Sequence, residues 1–434
     1  MKRSILVYTR HHEPVGSGDI PGRGYRSTTR GEVLSRALKG GSMTFLLLLL
    51  FISKLSAQVV EDALRYSQVF YQGSARFMSM GGAFTALGGD VSSFAQNPAG
   101  LGVFRSSEIS ITPRLFHFKS DAGFMNFSTS DYFYDFNLSQ AGLVVNLMKK
   151  SSGSGLSGLN LGYAYNRTNN FKQSMIIEGT GTNSSLLDYW ADISHGYTTP
   201  ELMDNVPEAF LGYDTWLIDT LSGSFDSYGT VYSNYGDDPP SVYGQNINRV
   251  ISNEGYTAEH DFSIGGNYSD KLFFGMTFSI TSLSYSSLVE HSESTDENLI
   301  SEFTDFHYSF RYTNKGRGYG IKLGAIFKPV EPLRLGFAFH SPTLFKIDEY
   351  VDDNITSYFS NSSVPFESAN EKLRYNYALT TPFRALAGAA FQYKKIALFS
   401  LDYEFVDYST ARFSETGDDY SYSSKNKEIK NGLR

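Results

Sequence analysis

Histidines, clustered carboxylates and one asparagine–proline turn are the residues here whose types could do chemistry. Six histidines follow residue 57: His117, His195, His260, His291, His307 and His340. Their separations match no metal-ligand spacing, because tight tetrahedral or octahedral sites draw ligands from short, regular intervals. An axial haem ligand is the one role open to such a scattered set; a strand or surface histidine is the commoner reading. The acidic pairs Asp237-Asp238, Asp352-Asp353 and Asp418-Asp419 could touch Ca²⁺, although exposed loop acids are ordinarily just solvated. No His-Glu-x-x-His, Gly-x-Ser-x-Gly, phosphate-binding loop or dinucleotide fingerprint is present. Gly316, Gly318 and Gly320 sit in a strand-like run, where they mark a bend or close packing rather than a phosphate loop. The sequence therefore points away from an enzyme, and no cofactor is called for. Asp402 and Glu404 alternate with Leu401, Tyr403 and Phe405, so both acids share one strand face, directed at a polar interior.

Composition narrows what could position these groups. The chain has 434 residues, no cysteine, 40 Gly, 34 Phe, 30 Tyr and only 2 Trp. Without cysteine there are no disulfides, thiolate metal sites or thiol nucleophiles. A net charge of −8 excludes a nucleic-acid partner that needs a basic surface. Charged residues make up 19%, below the roughly 25% of soluble domains. A mean hydropathy of −0.27 excludes a bundle of membrane helices. Strands apolar on one face only reconcile few charges with no long apolar run.

The one apolar run, Phe45 to Ile52, spans about 12 Å as a helix, against a hydrocarbon core of roughly 30 Å. Ser56 and Ala57 follow it, so it reads as a signal-peptide core cleaved after Ala57. Upstream lies either a long basic n-region or sequence preceding a true start near Met43. Residues 1–57 carry +6, which leaves −14 on the remainder.

From residue 107 the hydrophobic period is 2. Leu159, Leu161, Tyr163 and Tyr165 fall on one face, and Asn160, Gly162, Ala164 and Asn166 on the other. Strands are expected near 107–118, 135–148, 158–178, 257–268, 272–290, 304–328, 333–348, 372–393 and 396–413, with a tenth starting at 428–434. Short links at 149–157, 269–271, 328–332 and 394–395 alternate with longer ones at 119–134, 179–256, 291–303, 349–371 and 414–428. That alternation is the loop pattern of an outer-membrane barrel. Phe118, Tyr163, Tyr165, Tyr268, Tyr393 and Tyr408 suit aromatic girdles. The loop 179–256 holds eleven acids against Arg249, eight Tyr and both Trp. Short helices are expected at 185–190 and 207–211. The loop reads either as a cap that gathers ligand or as a solvated surface.

Between the signal peptide and the first strand, Gly81-Gly82 and Gly88-Gly89 permit tight turns. Asp90 caps a short helix through Gln96 that Pro98 must end. This stretch, with Phe84, Phe94 and the turn Asn97-Pro98-Ala99, resembles the hatch of the FadL/TodX family of outer-membrane transporters for long-chain fatty acids and aromatic hydrocarbons. The resemblance is closest to the branch labelled haemin receptors. Residues 320–329, Leu335-Gly336-Phe337, His340-Ser341-Pro342-Thr343, Thr381-Pro382-Phe383-Arg384 and residues 402–408 carry it through residues 73–434.

The resemblance implies an all-β, transmembrane antiparallel β-barrel, 14-stranded in the family, of which nine to ten strands are expected in a chain shortened at its carboxy terminus. It divides the chain into residues 1–57, a hatch at 58–106 that plugs the lumen, and barrel strands at 107–434. It further implies passive uptake of a hydrophobic small molecule, with lateral exit into lipid, by a monomer in the cell outer membrane. Gly81, Gly82, Phe84, Phe94, Asn97, Pro98 and Ala99 would shape the conduit. The alternatives are a surface-exposed structural or adhesive barrel and a haemin-binding receptor.

Overall fold

The computed structural model describes residues 60–149, 155–232, 243–295, 302–394, 396–415 and 421–433. The apolar run at 45–52, the cleavage site, Met43, Asp237-Asp238, Asp418-Asp419 and most of the 149–157 link lie outside the described residues.

Alternating residues build long antiparallel strands: β1 (Glu108–Phe124), β2 (Phe127–Lys149), β3 (Leu156–Asn170), β4 (Gln173–Gly179), two short strands β5 (Ile218–Thr220) and β6 (Tyr228–Thr230), β7 (Asn246–Tyr268), β8 (Leu272–Ser294) and β9 (Phe303–Val330). They continue as β10 (Leu333–His340), β11 (Leu344–Phe359), β12 (Phe366–Ala369), β13 (Leu373–Thr380), β14 (Arg384–Tyr393), β15 (Ala397–Val406) and β16 (Arg412–Glu415). Fourteen of these form one sheet, whose main path runs β1-β2-β3-β7-β8-β9-β10-β14-β15. Each of the nine expected strands supplies one member of that path, and the all-β antiparallel class is what forms; but 158–178, 333–348, 372–393 and 396–413 are each broken into two strands, and β11 and β12 occupy most of the expected loop 349–371.

Two expectations are corrected. Residues 119–134 are not a loop: β1 and β2 run on and turn tightly at Met125-Asn126, Met125 taking φ 51°. Ser128-Thr129-Ser130 fills both faces of β2 there, and Lys119 to Gly123 of β1 holds no large apolar residue, so no hydrophobic alternation marks the stretch, while Phe118 and Phe133 still pair across the hairpin at 5.6 Å. Residues 428–434 do not begin a strand: Ser423–Gly432 is a helix. Its lysines and Glu428 favour helix, and its one buried apolar residue, Ile429, packs with Tyr377 and Phe413. The link expected at 179–256 is also shorter, because β4 reaches Gly179 and β7 begins at Asn246. It contains the helices Leu186–Ser194, Thr199–Asn205 and Pro207–Asp214, two of which were expected.

The sheet is inverted relative to a soluble one. Phe262 and Ile264 on β7, Phe274, Met276 and Phe278 on β8, Tyr319, Ile321 and Leu323 on β9, and Leu401 and Tyr403 on β15 are exposed. Their neighbours Asp261, Ser263, Thr277, Ser279 and Lys322 are buried. On β9 the exposed apolar stretch runs from Tyr319 to Val330, close to the roughly 9–11 residues a tilted membrane strand needs. Beyond it, Arg311, Lys315 and Arg317 take the exposed positions. An apolar band that ends in charge is the outer face of a membrane-spanning sheet.

Candidate functional site

Residues 60–104 lie against the inner face of this sheet. They comprise the helices α1 (Val60–Ser67) and α2 (Ala75–Ser79) and two 3-10 segments, Val91–Ala95 and Pro98–Val103. Asp90 caps the first segment by accepting from Ser92 N at 2.9 Å. Asn97 caps the second, its Oδ1 accepting from Ala99 N at 3.0 Å. These short elements meet eight successive strands. Val91 packs on β2 at Gly142, Phe94 on β3 at Gly162, and Leu101 on β7 at Gly265. Pro98 reaches β8 at Gly275 and Asn97 reaches β9 at Gly324. Thr85 fills the place against β10 and β14 at Gly336 and Gly388, and its N–H donates to Asp402 Oδ2 on β15 at 2.8 Å. One segment can touch the same face of eight neighbouring strands only if the sheet curls around it.

Glycine makes that contact close enough. Gly265, Gly275 and Gly324 are direct cross-strand partners, as are Gly336 and Gly388. A Cβ at Gly275 would stand 2.7 Å from Ala99 N, and one at Gly388 2.8 Å from Thr85 Cβ. Such approaches are closer than side chains tolerate, so a band of glycine across the wall is the seat of the amino-terminal segment.

The expected site residues can be placed on this frame. Phe84, Phe94, Asn97 and Ala99 are fully buried between segment and wall, and Pro98 is buried beside them. Asn97 Nδ2 donates to Thr85 O at 2.6 Å and to Ala325 O at 3.3 Å, tying segment to segment and segment to β9. Gly81 and Gly82 stand apart from the wall. Both take φ near +70°, which a turn requires, and Gly82 O accepts from Gln96 Nε2 at 2.8 Å.

Sequence reasoning missed the charged layer above the glycine band. Lys322 on β9 is buried, 2.5 Å from Glu259 and 3.4 Å from Asp261 on β7, and donates to Ala95 O at 3.1 Å. His340 Nε2 bonds Gln96 O at 2.8 Å. Arg384 pairs with Glu404 and donates to Ser67 O. Each of these three wall side chains thus bonds a carbonyl of the amino-terminal segment. The signal was available: Lys322 alternates with Ile321 and Leu323, and a lysine on the non-lipid face of a membrane strand points inward.

At this level three neighbouring strands break together. Ser341-Pro342-Thr343 separates β10 from β11, Thr381-Pro382-Phe383 separates β13 from β14, and residues 407–411 separate β15 from β16. Proline supplies no N–H to the ladder, which accounts for two of the three breaks. Hydroxyl groups take over: Ile321 N donates to Ser341 Oγ and Thr343 N to Thr381 Oγ1, both at 2.9 Å. A small cavity adjoins the breaks, bounded by Val69, Tyr71, Lys322, His340, Pro382 and Arg384 among others. Farther from the short turns, Tyr66, Leu283, Tyr285, Phe345, Ile347 and Tyr377 form an aromatic and aliphatic layer. The interior is therefore stratified: a glycine band, a charged layer, then an aromatic layer that also holds Asp62, Arg65 and Asn314.

Beyond that layer the three loop helices share a core of Leu187, Trp190, Leu202, Leu211 and Tyr228 with Phe303, Phe306 and Ile355 of the strand extensions. Glu293 on β8 docks the first of them, accepting from Ser185 Oγ at 2.7 Å, Leu186 N at 2.8 Å and His291 Nε2 at 2.9 Å. The histidines stay scattered, and among the described residues no three metal-ligating side chains converge.

The model of an uncharacterised protein family (UPF0164) matches residues 51–127. No curated protein matches the chain. Among solved structures, the CymD monoaromatic hydrocarbon channel aligns over 80% of this chain and 72% of its own, with 12% identity and a TM-score of 0.38.

Proposed function

We propose that this chain is a passive outer-membrane conduit for hydrophobic small molecules of the fatty-acid or aromatic-hydrocarbon kind, plugged by its amino-terminal hatch and emptied sideways through the wall. The observation that carries the reading is the alignment of three strand breaks beside a cavity that the hatch also lines. A continuous ladder leaves no way from lumen to lipid, because each broken backbone pair costs free energy where water cannot replace it. Here the ladder is thinned to the backbone bonds Ser341 N to Ile321 O and Thr381 N to Thr343 O, with side-chain hydroxyls satisfying the reverse amides. An apolar cargo gains by moving from the aromatic layer to the breaks without entering water. The charged layer between them sets Lys322 and Arg384 against Glu259, Asp261 and Glu404, so a cargo carboxylate has to displace one of these acids to reach a cation. Gly81, Gly82, Phe84, Phe94, Asn97, Pro98 and Ala99 serve as the hatch that fixes the width of the passage.

The test uses the protein in vesicles whose outer leaflet is lipopolysaccharide, a barrier to apolar solutes, and follows entry of a fatty acid, an aromatic hydrocarbon and haemin. Fatty acid or hydrocarbon should enter faster than through protein-free vesicles, and Thr381→Trp, which fills the breaks, should slow entry severalfold. Entry of haemin alone would transfer the assignment to a haemin receptor. Entry indifferent to the tryptophan would remove the lateral exit.

A further inference from the structure

A second, larger cavity, open to solvent, lies on the short-turn side of the glycine band, away from the strand breaks. Its floor is apolar: Leu87 and Val103 of the amino-terminal segment meet Ala390 of β14 and Leu398 of β15. Its rim carries Arg76 from α2, Arg105 from the end of the segment and Arg334 from β10, together with the carboxylates of Glu108 and Glu331. Three guanidinium groups from three elements around one opening are unusual in a chain of net charge −8.

Their local partners leave them free to hold an anion. Among the described residues, neither Arg76 nor Arg334 has a carboxylate within ion-pair distance, and Arg105 has only Asp270 at 3.5 Å across an exposed gap. Arg334 spends one donor on Leu87 O at 2.7 Å, and Arg76 makes a long bond to Gly89 O at 3.4 Å. The nearby Glu331 is committed elsewhere, 2.7 Å from Lys328. That hydrogen bond, followed by the lysine's charge, holds the Glu331 carboxyl below its ordinary value. A guanidinium offers five N–H donors in a planar fork that fits an oxyanion, so most of the donors on this rim remain available.

The geometry points to a binding site for an anionic amphiphile, its carboxylate or phosphate held by Arg76, Arg105 and Arg334 and its hydrocarbon chain lying on Leu87, Val103 and Leu398. Neither half of the cavity accounts for the other alone: an inorganic anion would leave the floor wet, and a neutral hydrocarbon would leave Arg76 and Arg334 without an ion pair. Leu398 shares its strand face with Ser400 and Asp402, whose side chains bond the amino-terminal segment, so the floor belongs to the interior side of the wall. The site stands apart from the conduit proposed above, because it opens on the turn side and does not need cargo to cross the lumen.

The experiment measures equilibrium binding of dodecanoate, dodecanol and acetate to the full chain in zwitterionic nanodiscs. The variant is Arg76→Gln/Arg105→Gln, two substitutions on exposed side chains that leave the Arg334–Leu87 bond in place. Dodecanoate should bind, dodecanol and acetate should bind at least roughly tenfold more weakly, and the double variant should lose roughly tenfold for dodecanoate alone. Repeating the titration in nanodiscs with anionic phosphatidylglycerol separates two sources of the same chemistry. Competition by the lipid identifies a bilayer phosphate as the resident; undiminished dodecanoate binding identifies a free carboxylate. Equal affinity for dodecanol, or a double variant that binds dodecanoate as well as the parent does, overturns the site. Uptake through the lumen is a separate readout, so either proposal can fail without the other.

Discussion

Asn97 occupies the space that a side chain at Gly324 would need. A Cβ at 324 would collide with Asn97 Oδ1 and come within 3.0 Å of Ala99 N, while Asn97 Nδ2 holds Thr85 O and Ala325 O. The pair is a lock between the amino-terminal segment and β9, and it should behave as a unit. Asn97→Ala strands buried acceptors and should cost about 1–3 kcal/mol. Gly324→Ala should destabilise the parent, yet cost less in the Asn97→Ala background, where the obstructing oxygen is gone. A double-mutant cycle on guanidinium unfolding in micelles measures the coupling. Strict additivity would mean that the two residues do not meet.

How much of this was legible follows from what each signal depends on. Period-2 alternation on β3, β7, β8 and β9 is a local property of the chain, and those strands lie where the alternation falls. The outer half of the β1–β2 hairpin, residues 119–134, was not legible because its polar and small residues show no apolar alternation. Asn97-Pro98-Ala99 was legible as a turn because proline and an Asx cap act locally. Its contact with Gly324, more than 200 residues on, was not, and neither was the glycine band. Gly265, Gly275 and Gly324 become a feature only once register aligns them across three strands. Lys322, Glu259 and Asp261 met the same obstacle: each reads singly as an inward polar residue, and only the β7–β8–β9 pairing makes them a cluster.

That cluster predicts a large asymmetry. Lys322 neutralises Glu259 and Asp261 in a site that solvent barely reaches. Lys322→Met leaves two buried carboxylates facing each other, and breaking a buried pair costs on the order of 3–5 kcal/mol. The triple variant Lys322→Met/Glu259→Gln/Asp261→Asn removes the uncompensated charge and should recover most of that loss. Heat-modified mobility of the folded band, with urea unfolding, reads both. A triple variant as unstable as the single one would show that the lysine acts through packing.

The outward band predicts where charge is tolerated. Leu323 on β9 faces away from the interior within the apolar stretch, whereas Lys315 on the same face lies beyond it. Arginine near the middle of a bilayer costs a membrane strand about 2–4 kcal/mol, and near the interface about 0–1. Leu323→Arg should therefore lower folding yield into lipid vesicles sharply, and Lys315→Glu should leave it nearly unchanged. Equal effects at both positions would move the lipid boundary.

The helical cap on the strand extensions should tighten as pH falls. Burial, the largest influence on each, raises the carboxyls of Asp188 and Glu208 above their ordinary values. Ser185 N and the Tyr243 hydroxyl bonded to Asp188 offset only part of that effect. The folded cap thus binds protons more readily than the unfolded segment does, and linkage gives it stability that grows as the medium turns acid. The contribution is complete below the ordinary values of 3.8 and 4.5, and it is lost as pH rises through the raised folded values. Hydrogen exchange over residues 186–232, corrected for the intrinsic pH dependence of exchange, should show greater protection at pH 5 than at pH 7 in the parent. Asp188→Asn/Glu208→Gln should flatten that difference, because neither amide titrates. If the variant keeps the full pH dependence, these two carboxyls are not its source.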